Sequence, residues 1–125
     1  TKLVKYEINE MLENLETVND VKVLKSSFED KNVDELKEIV DRGKEKMQSG
    51  IIILGTNNNG KAIFVVGVTK DLISKVKAGE IVKVAAQVAG GNGGGRPDFA
   101  QAGGKNGSAV KEAVEKAFEF VTEKL

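Results

Sequence analysis

Hydrophobic and polar positions repeat along this chain with two different periods, and the changes of period divide it into elements. From Thr1 to Val18 the apolar residues Val4, Ile8, Met11, Leu15 and Val18 recur at spacings of 4, 3, 4 and 3, the seam of a helix that packs on another helix. A helical arm is therefore expected over residues 1–19, ahead of a globular part at 20–125. Val21 to Phe28 (VKVLKSSF) moves toward alternation and reads as a strand. Asn32 and Glu35 have the spacing of a capping box, and Leu36, Ile39, Val40, Gly43 and Met47 fall on one face of the helix they would start. Gly50 is expected to end that helix. Strand Ile51–Leu54, a turn over Thr56–Gly60 and a returning strand Lys61–Val68 then make a hairpin. Thr69 is placed to cap a short helix over Lys70–Val76, and another helix runs from Glu80 to Val88. The chain closes with an amphipathic helix from about Asn106, whose apolar stripe is Val110, Ala113, Val114, Ala117, Phe118 and Val121. With Phe99–Ala102 as a further strand, the fold class is α/β (α+β): a small mixed sheet covered by helices and preceded by an N-terminal helix.

Periodicity fails over Ala89–Gly104, AGGNGGGRPDFAQAGG, where five of the six positions from Gly90 to Gly95 are glycine. Ordering each residue costs about 1–2 kcal/mol of backbone entropy, most of all for glycine, so the tract is either a loose linker or ordered for a purpose. Consecutive glycine N–H groups can form a concave nest for an anionic oxygen. Arg96 stands at its lip with a planar fork that matches phosphate, and Pro97 stiffens the backbone that carries it. Asp98 is near enough to orient the guanidinium, and Gln101 can donate and accept. The helix ending at Val88 would bring its negative pole to the tract, whereas the helix starting near Asn106 brings its positive one, with Lys105 at its entrance. The candidate site is therefore a phosphate clamp of Gly90, Gly91, Gly93, Gly94, Gly95, Arg96, Gln101 and Lys105. Phe99 suits either core packing or stacking on a base.

Composition narrows the chemistry. The 125 residues contain no cysteine and no histidine, which excludes disulfides, thiolate catalysis, the usual zinc ligands and the commonest general base. No apolar run approaches the ~20 residues of a membrane-spanning helix, and a cytoplasmic setting without membrane contact is expected. The opening of the chain inside a helical pattern suggests a piece of a longer protein. Net charge is zero, yet residues 1–50 hold 9 basic and 12 acidic side chains while residues 61–105 hold 7 basic and 3 acidic. The cationic surplus lies around the glycine tract. Gly55-TNNN-Gly60-Lys61-Ala62 mimics a nucleotide-binding P-loop, but Ala62 lacks the hydroxyl that position needs for magnesium, and the β-branched run after it reads as strand rather than helix.

Gly90–Gly104 resembles the signature near the carboxy terminus of alanyl-tRNA synthetases, in a domain also found after the catalytic part of DHH-type phosphoesterases. GIIILGTNNNGKAIFVVGVTKDL (Gly50–Leu72) and KAGEIVKVAAQVAGG (Lys77–Gly91) are similar to the same domain in the same order, so the likeness covers about Val21–Leu125. Arg96-Pro97-Asp98 after the glycines resembles the synthetase branch, since the phosphoesterases usually carry a shorter motif ending in histidine. The resemblance implies a tRNA-binding carboxy-terminal domain that helps aminoacylation and editing act on one tRNA. It also implies a parent alanine–tRNA ligase, with tRNA and the parent's other domains as partners. ATP, magnesium and zinc would then serve other parts of that parent, and this chain would hold no cofactor and no catalytic residue. Two alternatives stay open: the substrate-binding domain of a DHH-type phosphoesterase, and an oligomerisation module forming a homodimer through residues 1–19.

Overall fold

In the computed structural model of the protein, which describes residues 16–125, β1 (Glu16–Val18) and β2 (Val21–Glu29) pair antiparallel at one edge of a sheet. Asn19 and Asp20 between them adopt φ of 48° and 67°, the paired left-handed conformation of a two-residue hairpin turn. Val18, expected to close a helical seam, instead pairs with Val21. The β-branched Thr17 and Val18 gain more from a ladder than from another helical turn. The rest of the expected arm, and with it the proposed homodimer contact, lies outside the described residues.

From β2 the chain crosses through α1 (Val33–Met47) to β3 (Ile51–Asn58), which lies parallel to β2. β4 (Lys61–Val68) returns antiparallel, and a single 3₁₀ turn (Lys70–Leu72) leads to α2 (Ala78–Val88). β5 (Asn92–Gly95) and β6 (Phe99–Gly104) follow, then a 3₁₀ turn (Gly107–Ala109) that runs into α3 (Val110–Lys124). The six strands form one mixed sheet in the order β1-β2-β3-β4-β6-β5.

Alternation sends neighbouring residues of the central strands to opposite faces. On one face Leu36, Ile39, Val40 and Met47 of α1 cover Leu24, Ile52, Leu54 and Val65. On the other, Ile81, Val82 and Ala85 of α2 and Ala113, Val114, Ala117 and Val121 of α3 cover Val23, Ile51, Ile53, Phe64 and Val66. Both faces of β3 and β4 are dry, which is why their sequences are apolar runs rather than alternating ones. Each fully buried aliphatic or phenyl side chain there contributes about 1.5–3 kcal/mol.

The capping box forms: Glu35 N–H donates to Asn32 Oδ1 at 2.9 Å, and Asn32 N–H donates to Glu35 Oε1 at 3.3 Å. Gly43 is needed because a Cβ there would stand 2.6 Å from Ile52 Cδ1. The helix ends at Met47, and Gln48 rather than Gly50 takes the left-handed turn at φ 62°. Gly50 directly precedes β3 beside β2, where a Cβ would stand 2.9 Å from Lys22 O. Thr69 does not cap a helix over Lys70–Val76. Its hydroxyl donates to Asp71 Oδ1 at 2.6 Å and accepts from Gly50 N at 3.0 Å, binding the end of β4 to the start of β3. Asp71 also accepts a hydrogen bond from Ser49 Oγ. These two donors, Ser49 first, hold its carboxyl below the ordinary value of 3.8.

Candidate nucleic-acid interface

The glycine tract is a strand. Gly90 ends α2 at φ +74°, its N–H donating to Gln87 O, and Gly91 N–H donates to Ala86 O at 2.8 Å. The chain then doubles back along α2 as β5, paired antiparallel with β6 from Asn92 opposite Gly103 to Gly95 opposite Ala100. Arg96 N–H donates to Phe99 O at 2.9 Å. The alternation of an antiparallel ladder therefore turns the N–H groups of Asn92 and Gly94 toward β6. Gly93 N–H is held by Asn92 Oδ1 at 2.9 Å. The expected concave nest is thus not formed, because the helix end takes the amides of Gly90 and Gly91, the β6 ladder those of Asn92 and Gly94 and Asn92 Oδ1 that of Gly93, and only Gly90 of the tract has positive φ.

Most of these glycines are explained by crowding against β6. A Cβ on Gly91 would overlap Gly103 O, one on Gly93 would overlap Ala102 Cβ, and one on Gly95 would stand 2.8 Å from Ala100 Cα. Gly79 in the first turn of α2 faces Gly95 O in the same way, at 3.2 Å. Gly94 differs, since a Cβ there would meet nothing within 4 Å.

At the end of β5 the turn through Pro97 and Asp98 is tied to three elements. Ala78 N–H of α2 donates to Pro97 O at 2.8 Å, and Val68 N–H of β4 donates to Asp98 O at 2.9 Å. Lys44 Nζ of α1 donates to the same carbonyl at 2.8 Å. Burial at that tether pushes the Lys44 ammonium below its ordinary value, against the pull of Asp98. The turn presents an Arg96 side chain that is 75% exposed, with Nε 3.6 Å from Asp98 Oδ1. Arg96 is therefore a guanidinium held out on a fixed stem, as the proline suggested.

The structure brings some of the expected residues together and separates others. Gly94 lies opposite Gln101, and Arg96 neighbours Phe99 across the turn. Lys105 follows Gly104 at the far end of β6 from Arg96, roughly 20 Å away at about 3.3 Å per residue. Arg96 and Lys105 cannot hold one phosphate between them. The helix pole near Arg96 is also not the expected one. Because β5 runs back along α2, Gly95 and Pro97 lie at the N-terminus of α2, while the entrance to α3 docks on the β3–β4 turn through Gly107 N–H to Gly60 O at 2.8 Å. Asn106 does cap that entrance, accepting from Ser108 N at 3.1 Å. Phe99 is half-buried and packs on the α1-side core. The P-loop look-alike is the β3–β4 hairpin, with Lys61 at the start of a strand and Ala62 in the core.

Lys77 and Lys83 belong to the cationic surplus of residues 61–105 but not to the expected clamp. With Gly79, Glu80, Gly93, Gly94, Gly95 and Pro97 they line a groove of about 340 Å³ along the outer edge of β5. Nothing local marks them, since they meet the glycines only because the chain reverses.

A six-stranded mixed sheet with one parallel pair, one helix on its first face and two on its second, closed by a glycine edge strand, is the architecture this sequence builds. The DHHA1 domain family model matches residues 20–123, and the chain belongs to that family. Within the family its likeness is to alanyl-tRNA synthetases. The chain is 43% identical to the alanine–tRNA ligase of Oceanobacillus iheyensis over 98% of its own length, and 41% identical to that of Natranaerobius thermophilus over 96%. It spans 14% of the length of each. Among solved structures it resembles the C-Ala domain from Aquifex aeolicus alanyl-tRNA synthetase, with 31% identity and a TM-score of 0.78, covering 86% of this chain and 97% of that one. RecJ from Thermus thermophilus shares the fold alone, at 13% identity and a TM-score of 0.63, over 98% of this chain and 18% of that one.

Proposed function

We propose that this chain is the tRNA-binding carboxy-terminal domain of an alanine–tRNA ligase, acting in the cytoplasm to hold the body of the tRNA while aminoacylation and editing work on it. The observation that carries the reading is the match to nearly the whole of a C-Ala domain by a chain that spans 14% of the matched ligases. The exposed Arg96 and the cationic surplus of residues 61–105 support a polyanionic partner. ATP, magnesium and zinc belong to other parts of the parent. A chain without histidine or cysteine does not fit a zinc site of those residues, and none of its side chains is assigned a chemical step. The glycine tract ends in Arg96 rather than a histidine, which favours this reading over the substrate-binding half of a phosphoesterase. Titration of the chain with a tRNA(Ala) transcript and with a dinucleotide separates the two. We expect salt-sensitive binding of the tRNA and no competition from an equimolar dinucleotide. Competition at equal concentration would overturn the assignment.

A further inference from the structure

Resting on that reading, we infer that the RNA lies across β5, with bases over the sheet face that α1 leaves uncovered and its backbone along the edge groove beside α2. Three cross-strand rows make up the face: Asn92–Gly103–Ile63, Gly94–Gln101–Val65 and Arg96–Phe99–Gly67. α1 covers the β4 end of these rows, its cluster also takes in Phe99 of the third row, and Val33 at its start borders the open part. Val65 is buried beneath the helix, and a Cβ on Gly67 would stand 2.5 Å from Val40 Cγ1. Beyond β4, Asn92, Gly94, Gln101 and Gly103 are exposed, and at the β4 end of the first row Ile63 is half-buried. Two adjoining hollows of about 310 and 450 Å³, sharing Ile63 and Gly103, run along this surface.

The fold does not require glycine at two of these positions. A Cβ on Gly94 meets nothing within 4 Å, one on Gly103 makes an ordinary contact with Ala62 O at 3.5 Å, and neither residue has positive φ. Glycine inside a strand weakens it and marks close approach from outside. The middle of the face is uncharged, and its cations stand at the ends, Arg96 at one and Lys61 at the other. An uncharged surface bounded by cations complements stacked bases bounded by phosphates. The edge groove adds a second cationic line. Lys77 and Lys83 make no ion pair among the described residues, Glu80 is the carboxylate in its lining, and the N-terminus of α2 opens into it beside Gly79.

The test is a titration of the chain with tRNA(Ala) over a salt series, comparing wild type with Gly94→Thr, Gly103→Thr and the double variant Lys77→Gln/Lys83→Gln, alongside thermal melts and sedimentation. The threonine variants should melt no lower than wild type, bind about tenfold more weakly and keep the wild-type slope of log K against log salt. The lysine variant should lose about one to two units of that slope. Wild-type affinity in both threonine variants would overturn the inference, as would a threonine variant that changes the salt slope as the lysine pair does. A change in sedimenting mass that accounts for the lost binding would assign the face to a second copy of the chain instead. Failure of the wild type to bind tRNA would remove the reading and this inference with it, whereas wild-type binding with unaffected variants removes the inference alone.

Discussion

Arg96 is the side chain whose role is most separable from the fold. It is 75% exposed, and its 3.6 Å contact with Asp98 is a surface ion pair of the kind that contributes little stability. Arg96→Ala should therefore leave the melting temperature within about a degree of wild type while costing roughly 1–3 kcal/mol of tRNA binding, the range for a charge-assisted phosphate contact. Parallel melts and titrations check it, and an unchanged affinity would take Arg96 out of the interface. The sequence made this residue legible because its cues are local: a guanidinium next to a stiffening proline needs no knowledge of the rest of the chain. The backbone shape of the glycines beside it was not legible, for the opposite reason. Gly91, Gly93 and Gly95 are small because β6 presses on them, and nothing between Ala89 and Arg96 announces that the chain doubles back. An anion nest and a crowded strand ask for the same residue type, so composition could not choose between them.

Elements held by local chemistry were readable, and those held by partners far away in sequence were not. The capping box of α1, the amphipathic stripe of α3 and the β3–β4 hairpin follow from spacing alone. The hairpin closes on Asn59 and Gly60, with φ of 54° and 85°, the geometry that asparagine–glycine turns favour. Thr56, expected in the turn, is fully buried in β3, where its Oγ1 accepts from Lys31 N at 3.2 Å. Gly60 also accepts at its carbonyl from Gly107 N–H, and its own N–H is held by Asn57 Oδ1 at 3.0 Å. A β-branched residue at that φ strains the turn and loosens the entrance to α3 with it. Gly60→Val should accordingly lower the unfolding free energy by about 1–3 kcal/mol, read as an earlier urea midpoint with an unchanged slope. A midpoint equal to wild type would show that the turn relaxes without strain. β1 and β5 had no such local signature. One is three residues long and finishes an apparent helical seam, and the other is nearly all glycine, which has no preference for a strand until β6 supplies the ladder.

Across the whole chain, 19 basic and 19 acidic side chains cancel, so attraction to a polyanion has to come from where charges sit rather than how many there are. The half of the sheet nearest α1 and β1 ties several of its charges into pairs: Lys25 with Glu16 and Glu115, Lys31 with Glu35, and Arg42 with Glu38. The β5 side leaves Lys77 and Lys83 unpaired among the described residues and projects Arg96 outward. In the proposed mode two interactions with different physics meet at one strand: phosphate contacts that weaken with salt, and contacts to base faces that do not. A polyanion without bases distinguishes them. Heparin should bind the chain with a salt slope set by the same cations, and its affinity should fall in Lys77→Gln/Lys83→Gln but stay within about twofold of wild type in Gly94→Thr. If Gly94→Thr weakened heparin as much as tRNA, the open face would be reading charge. The two unforced glycines would then need an explanation in the shape of the backbone rather than in the bases stacked upon them.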